Sequence, residues 1–225
     1  MKRSILLSLM FVTYLVGFSQ TDYAETNELS FNLPILYNKT TITNVYGPTR
    51  QISGTGISSG INISYKKIIS NGIYVQIGLG YFAQNFSLRR PYEDSDFILL
   101  LRTTRKYTYH CLERLLGLGY KSMIGKKYFF DVSANYHQLR TFKQKYFSRD
   151  GQNITETKYQ YQFASILSVT PSFQRTISDK IKISTGIVIP VITSWKKDIR
   201  FDENRNDTYS PSFHLGIQIG VHYHF

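Results

Sequence analysis

Three groups of side chains have types and spacings that suit chemistry. Ser212 and His214 lie two apart, so an extended strand puts both on one face. A hydroxyl beside an imidazole is the core of a nucleophile–base pair, such as a lipid acyl hydrolase or transferase would use. That chemistry also needs a carboxylate to orient the imidazole. None stands in the same segment, although Asp202, Glu203 and Asp207 precede it. The second group is His214, His222 and His224, which share one parity. Three imidazoles suit a transition metal, but His214 is about 26 Å of extended chain away from His222. No single ion bridges that distance, so no metal and no other cofactor is expected. The third group is Glu113, Lys121, Asp131, His137, Lys182 and His222, each on the polar side of an alternating segment. Acids and bases lined up this way form either a proton or ion path or a salt-bridge network filling a narrow interior.

These groups meet only if long strands hold them. Eight alternating segments stand near 27–37, 52–68, 73–87, 107–123, 128–142, 157–176, 181–195 and 211–225. Their connections are short and long in turn. Ser70-Asn71-Gly72, Gly125-Lys126 and Ser178-Asp179-Lys180 suit tight hairpins. The stretches 38–51, 88–106, 143–156 and 196–210 are long and polar. In the seventh segment Ile181, Ile183, Ile187 and Ile189 share a face, opposed by Lys182, Ser184, Gly186 and Ser194. In the third, Ile73, Val75, Ile77 and Leu79 oppose Gln76, Gly78 and Gly80. A period of two gives each strand one apolar face.

Strand length decides which face is outside. Soluble strands average about five or six residues. Thirteen residues reach about 43 Å, and tilted near 45° they rise about 30 Å, the thickness of a bilayer core. The opposite face is rich in Gly, Ser, Asn and Gln, which suits a narrow filled lumen. Aromatic residues group at both ends of the segments. Tyr65, Tyr74, Tyr120, Tyr128, Phe173 and Tyr223 lie near the short turns; Tyr37, Tyr107, Tyr109, Tyr136, Tyr159, Trp195 and Phe213 lie towards the long connections. Two aromatic belts around an aliphatic band are what membrane interfaces select. The expected fold is all-β: an eight-stranded antiparallel up-and-down transmembrane β-barrel. The alternative is a soluble lipocalin-like carrier with its apolar face inward.

The first residues set the compartment. Lys2 and Arg3 precede an apolar run from Ile5 to Phe18, with Gly17 and Ser19 as small residues before a cut at Gln20. Residues 1–19 read as a secretory signal peptide, cleaved near Ser19, and residues 20–225 as one barrel domain. The single Cys111 forms no internal disulfide. The formal charge is +12 and the pI about 9.6. In an exported chain this points to anionic membrane surfaces and not to nucleic acid.

GTGISSGINISYKKIISNGIYVQIGLGYFAQNFSL (54–88) and CLERLLGLGYKSMIGKKYFFDVSANYHQL (111–139) resemble the PorT-like outer-membrane β-barrel family. Leu112, Glu113, Leu116 and Tyr120 match its fourth-strand motif, with Leu115 in place of a Pro and Arg114 in place of an apolar residue. The resemblance implies the barrel fold and an outer-membrane location. Because the family has a secretion-linked member, it also implies a component of a secretion apparatus as an alternative role.

Two further expectations concern single residues. Arg114 alternates with Leu112 and Leu116 and so faces lipid, at a cost of about 2–4 kcal/mol at the midplane. A bulge turning it inward, or snorkelling to an interface, relieves that cost. In the last segment the odd residues from Phe213 to Phe225 face lipid and His214, His222 and His224 face the lumen. This strand pairs with the first around Leu29 to Tyr37, and the terminal Phe resembles the signal by which barrel-assembly machinery recognises its clients.

Residues 38–50, 88–106, 140–158 and 196–209 hold 16 Lys or Arg against 9 Asp or Glu, with Arg89-Arg90, Arg105-Lys106 and Lys196-Lys197 beside strand ends. Phosphates of lipopolysaccharide are their expected counterions. Asn38-Lys39-Thr40, Asn206-Asp207-Thr208 and Asn62-Ile63-Ser64 match glycosylation acceptors, but the last sits inside a strand, so the set reflects composition. The expected role is a non-enzymatic outer-membrane barrel in envelope structure, adhesion or assembly, touching envelope partners through its outer end. The alternative is a lipid-modifying enzyme.

Overall fold

The computed structural model describes residues 27–44, 51–90, 103–147, 153–156, 163–196 and 207–225. They form β1 (Asn27–Asn44), β2 (Gln51–Ser70), β3 (Ile73–Arg90), β4 (Thr103–Gly125), β5 (Tyr128–Phe147), β6 (Asn153–Glu156), β7 (Phe163–Thr176), β8 (Ile181–Lys196) and β9 (Asp207–His224). Every pairing is antiparallel. The order runs β4-β3-β2-β1-β9-β8-β7-β5, and β4 pairs β5 to close the ring. The short β6 pairs only with residues 144–147 of β5 and continues the line of β7. The result is an eight-stranded closed barrel. No helix among the described residues is long and apolar enough to cross a membrane. The predicted signal peptide lies outside the described residues.

Three tight turns close one end. Asn71 and Gly72 both have positive φ (46° and 81°), the signature of the hairpin turn that matches strand twist. The other end extends further than alternation predicts. Residues 38–44, 88–90, 103–106, 143–147 and 207–210, expected in connections, continue the strands. The reason is pairing: 38–43 run against 51–56 and 88–90 against 103–105, so polar residues there still find ladder partners.

The apolar face is outside. Leu33, Ile57, Leu79, Leu116, Val191 and Leu215 are all at least half exposed. On β8 the outward apolar residues run from Ile181 to Ile192, about 36 Å of strand and about 26 Å of rise at 45°. That height suits the apolar band of a membrane barrel.

Three bulges lie near the long-loop edge of this band. Tyr37 faces both His214 and Leu215, Phe142 is an extra residue opposite β4, and Val191 an extra residue opposite β7. An inserted residue inverts the in–out phase of everything beyond it, and this corrects several expectations. Phe213 is buried in the lumen and His214 faces out. Trp195 packs inward against the core, and Ser194 is exposed. Tyr107 and Tyr109 need no bulge: they share the inward parity of Cys111 and Glu113 and are buried, as is Tyr74 at the other end. Among the expected belt residues Tyr37 and Tyr136 on the long-loop side and Tyr128, Phe173 and Tyr223 near the turns do face outward, joined by Tyr81 and Phe142 above and Phe225 below. Tyr159 lies outside the described residues.

Candidate functional site

The lumen is packed in three tiers. Nearest the short turns, Glu28 is the hub. Its carboxylate accepts from Lys121 Nζ at 2.6 Å and lies 2.6 Å from His222 Nδ1, 3.1 Å from His224 Nε2 and 3.4 Å from Lys66 Nζ. Asp131 is the second acid. It accepts from Tyr74 Oη (2.5 Å), Gln174 Nε2 (2.8 Å) and Lys66 Nζ (3.1 Å). Lys182 sits with its Nζ 3.8 Å from the centroid of the Phe129 ring. Glycine makes the space: a Cβ on Gly119 would overlap the Tyr74 ring. Charges this buried hold only as a mutually satisfied set.

The middle tier is a chain. Asn32 donates to Asn62 (3.0 Å), and Asn62 to Glu113 Oε2 (3.3 Å). Glu113 Oε1 lies 2.7 Å from His137 Nδ1, and His137 Nε2 lies 3.0 Å from Ser168 Oγ. Acid, imidazole and hydroxyl follow in the order of a catalytic triad. Yet Ser168 is wholly buried, and a nucleophile needs room for a reacting atom about 3 Å away.

The third tier is apolar. Leu36, Phe82, Phe86, Tyr109, Ile166 and Phe213 belong to one buried cluster near the long-loop end. Phe86 stacks on Tyr107 and Tyr109, and Phe82 meets Phe213 edge to face at 5.8 Å. Beneath it, the polar tiers complete the filling of a barrel whose bore is just wide enough for side chains.

The predicted lumen residues Glu113, Lys121, Asp131, His137, Lys182 and His222 therefore all face inward. They form two clusters and not one line: Glu113 with His137, and the others around Glu28 and Asp131. Glu28, Lys66 and Ser168 complete these clusters and carry no sequence motif. The one visible signal is that Glu28 is the only acid in β1. The three histidines separate. His222 and His224 converge on Glu28, whereas His214 points outward and packs against Tyr37 at 5.7 Å.

Ser212 and His214 do meet, at 3.4 Å, on the outer face. However, Ser212 Oγ donates to the Lys39 carbonyl at 2.9 Å, so its proton is directed away from the imidazole. No described carboxylate contacts His214. Asp202 and Glu203 lie outside the described residues, and Asp207 is about 23 Å along the strand.

Arg114 faces outward with its register unbroken, paired with Leu79 and Gln138, so no bulge turns it in. It sits in a groove of about 720 Å³ lined by Leu29, Ile63, Tyr65, Ile77, Leu116 and Tyr136, with Gln138 beside it. Above the band, Lys39, Lys106, Arg140, Lys143, Lys145 and Lys196 form an outward basic collar. Among the described side chains, Glu28, Glu113 and Asp131 are buried and Asp179 lies in a turn, so none of these acids faces out of the band.

No protein-family model and no curated protein sequence matches the chain. Solved structures do. Neisserial surface protein A is similar with a TM-score of 0.42 and 11% identity, over 87% of this chain and 97% of that one. The outer-membrane protease OmpT of Escherichia coli gives 0.49 and 8%, over 92% and 100%. The outer-membrane protein OprG of Pseudomonas aeruginosa gives 0.54 and 14%, over 90% and 96%. At such identities the likeness is one of fold, and it rests on OprG: the chain has the architecture of an outer-membrane β-barrel.

Proposed function

We propose that the protein is a closed, non-enzymatic barrel of a bacterial outer membrane, serving envelope structure, adhesion or assembly through its basic outer end. The short turns and both strand termini then lie in the periplasm and the long connections outside, the usual arrangement of bacterial barrels. The observation that carries this reading is the collar. Six cations face outward at the upper edge of the apolar band, with no acid among the side chains described at that level. Phosphates of outer-leaflet lipopolysaccharide are the natural counterions for such a ring. The likeness of residues 54–88 and 111–139 to PorT-like barrels agrees with this placement.

Two measurements test the reading. A variant with Lys39, Lys106, Arg140 and Lys196 all changed to Gln should co-purify with much less lipopolysaccharide than the native protein. Planar bilayers containing the native barrel should show no large stable channel. Recovery in the soluble periplasm would defeat the membrane reading, and equal lipopolysaccharide retention would defeat the collar. The Glu113–His137–Ser168 chain favours one second reading, a lipid acyl hydrolase. A lumen-filling role accounts for it better, because its hydroxyl is sealed from both lipid and water.

A further inference from the structure

The groove around Arg114 has the form of a lipid site. Two adjacent outward rows cross the strands side by side. One is Leu29, Tyr65, Ile77, Leu116 and Tyr136; the other is Phe31, Ile63, Leu79, Arg114 and Gln138. The groove lies between them and spans five strands. Four steps of about 4.8 Å make it about 19 Å long. One leaflet of a bilayer core is about 15 Å deep, so a slanted acyl chain fits the length. The valley climbs from Leu29, near the short turns, to Tyr136 and Gln138, nearer the long-loop edge. Its only charge is at the upper end. Arg114 makes no hydrogen bond or ion pair with any described residue.

We propose that this groove binds one anionic lipid of the outer leaflet by a phosphate and an acyl chain, for which phosphatidylglycerol serves as the probe. The phosphate sits on the Arg114 guanidinium beside the Gln138 amide, and an acyl chain lies along the valley towards Leu29. A planar guanidinium offers a phosphate two parallel N–H bonds, and in apolar surroundings that contact is strong. A second copy of the chain is the poorer occupant. Its described outward side chains offer no carboxylate, and a symmetric contact would set one Arg114 against another. The site lies within the apolar band and is distinct from the collar above it. The inference rests on membrane residence, which fractionation tests separately. If the protein is soluble, both readings fall; if it is membrane-bound, the following experiment judges the site alone.

The full-length protein is placed in phosphatidylcholine nanodiscs doped with phosphatidylglycerol, and the lipid retained on release is counted by native mass spectrometry. The native barrel should keep one phosphatidylglycerol. R114L and R114Q should keep it about tenfold less often, as loss of one charge-assisted contact implies. R114K should fall between, and R175Q, at an exposed cation near the short turns and outside both groove and collar, should match the native protein. Heat-modifiable migration on gels confirms that each variant is folded. Equal retention in R114L and native protein overturns the proposal. So does an equal loss in R175Q, which would report surface charge only, and so does a two-barrel species that R114L abolishes.

Discussion

Lys121 Nζ lies 2.6 Å from Glu28 Oε2, which ties the first strand to the fourth across the lumen. The two strands are not neighbours in the sheet. Backbone pairing sets the wall of the barrel, and this contact helps set its cross-section. Glu28→Gln leaves Lys66 and Lys121 facing a neutral amide, so it should lower stability by about 3–5 kcal/mol. Urea unfolding in lipid vesicles reads this directly. An unchanged midpoint would show that the charges are already compensated elsewhere.

The apolar tier should matter as much as the ionic one. Phe82 is buried against Phe213. Phe82→Ala removes a large ring from a packed cluster and should cost about 3–5 kcal/mol. The tiers beneath remain, so bilayer conductance should stay absent although the barrel is weaker. A channel opened by this single change would mean that the polar tiers do not close the lumen.

Gly119 and Tyr74 test the fit of the lower tier. A Cβ at 119 would overlap the tyrosine ring, whereas one at Gly125 meets nothing within 4 Å. Gly119→Val should displace Tyr74 from Asp131 and cost about 1–3 kcal/mol. Gly125→Val should leave the unfolding midpoint within experimental scatter of the native value.

Neither serine should support catalysis. Ser212→Ala and His214→Ala remove an outward pair whose proton is already given to Lys39. Ser168→Ala removes a buried partner of His137 and should cost about 1–3 kcal/mol of stability. Cellular lipid profiles of all three variants and of a deletion strain should be the same. A changed acylation pattern in Ser168→Ala, with the barrel still folded, would establish the hydrolase reading instead.

Phe225 should matter for assembly. Its N–H donates to the Asn27 carbonyl at 3.1 Å, and its ring stacks on Tyr223 at 6.1 Å. Deleting it should lower the yield of heat-modifiable barrel in cells. Equal yield would place the assembly signal further up β9.

Much of the barrel was legible in the sequence because alternation reports one physical fact per strand, which residues share a face. That was enough for Ile181 to Ile189, for Leu112 to Leu118, and for Glu113 and Lys121 on the inner side. It failed where one inserted residue inverted the phase, at Phe213, His214, Ser194 and Trp195. Nothing local to the sequence marks those bulges. Tyr107, Tyr109 and Tyr74 failed differently: their parity was correct, but aromatic character suggested an interface. The hub at Glu28 was legible only as the single acid of β1. Its partners come from β2, β4 and β9, and periodicity along a strand says nothing about which side chains meet across a lumen.

The three bulges also change what the loops stand on. At that level Phe86, Tyr107 and Phe213 lie within, beside buried Asn38, Thr40 and Gln144, and polar side chains such as Lys39, Lys106 and Lys145 lie without, closer to the arrangement of a barrel in water. β4 continues from His110 to Thr103, about 23 Å of strand and about 16 Å of height at 45°. The outer end is thus a pedestal with its own core, whose foot is the basic collar. If the collar marks the lipid phosphates, as proposed, the strands rise about 16 Å above them at β4. A partner approaching that end would meet this pedestal before the membrane.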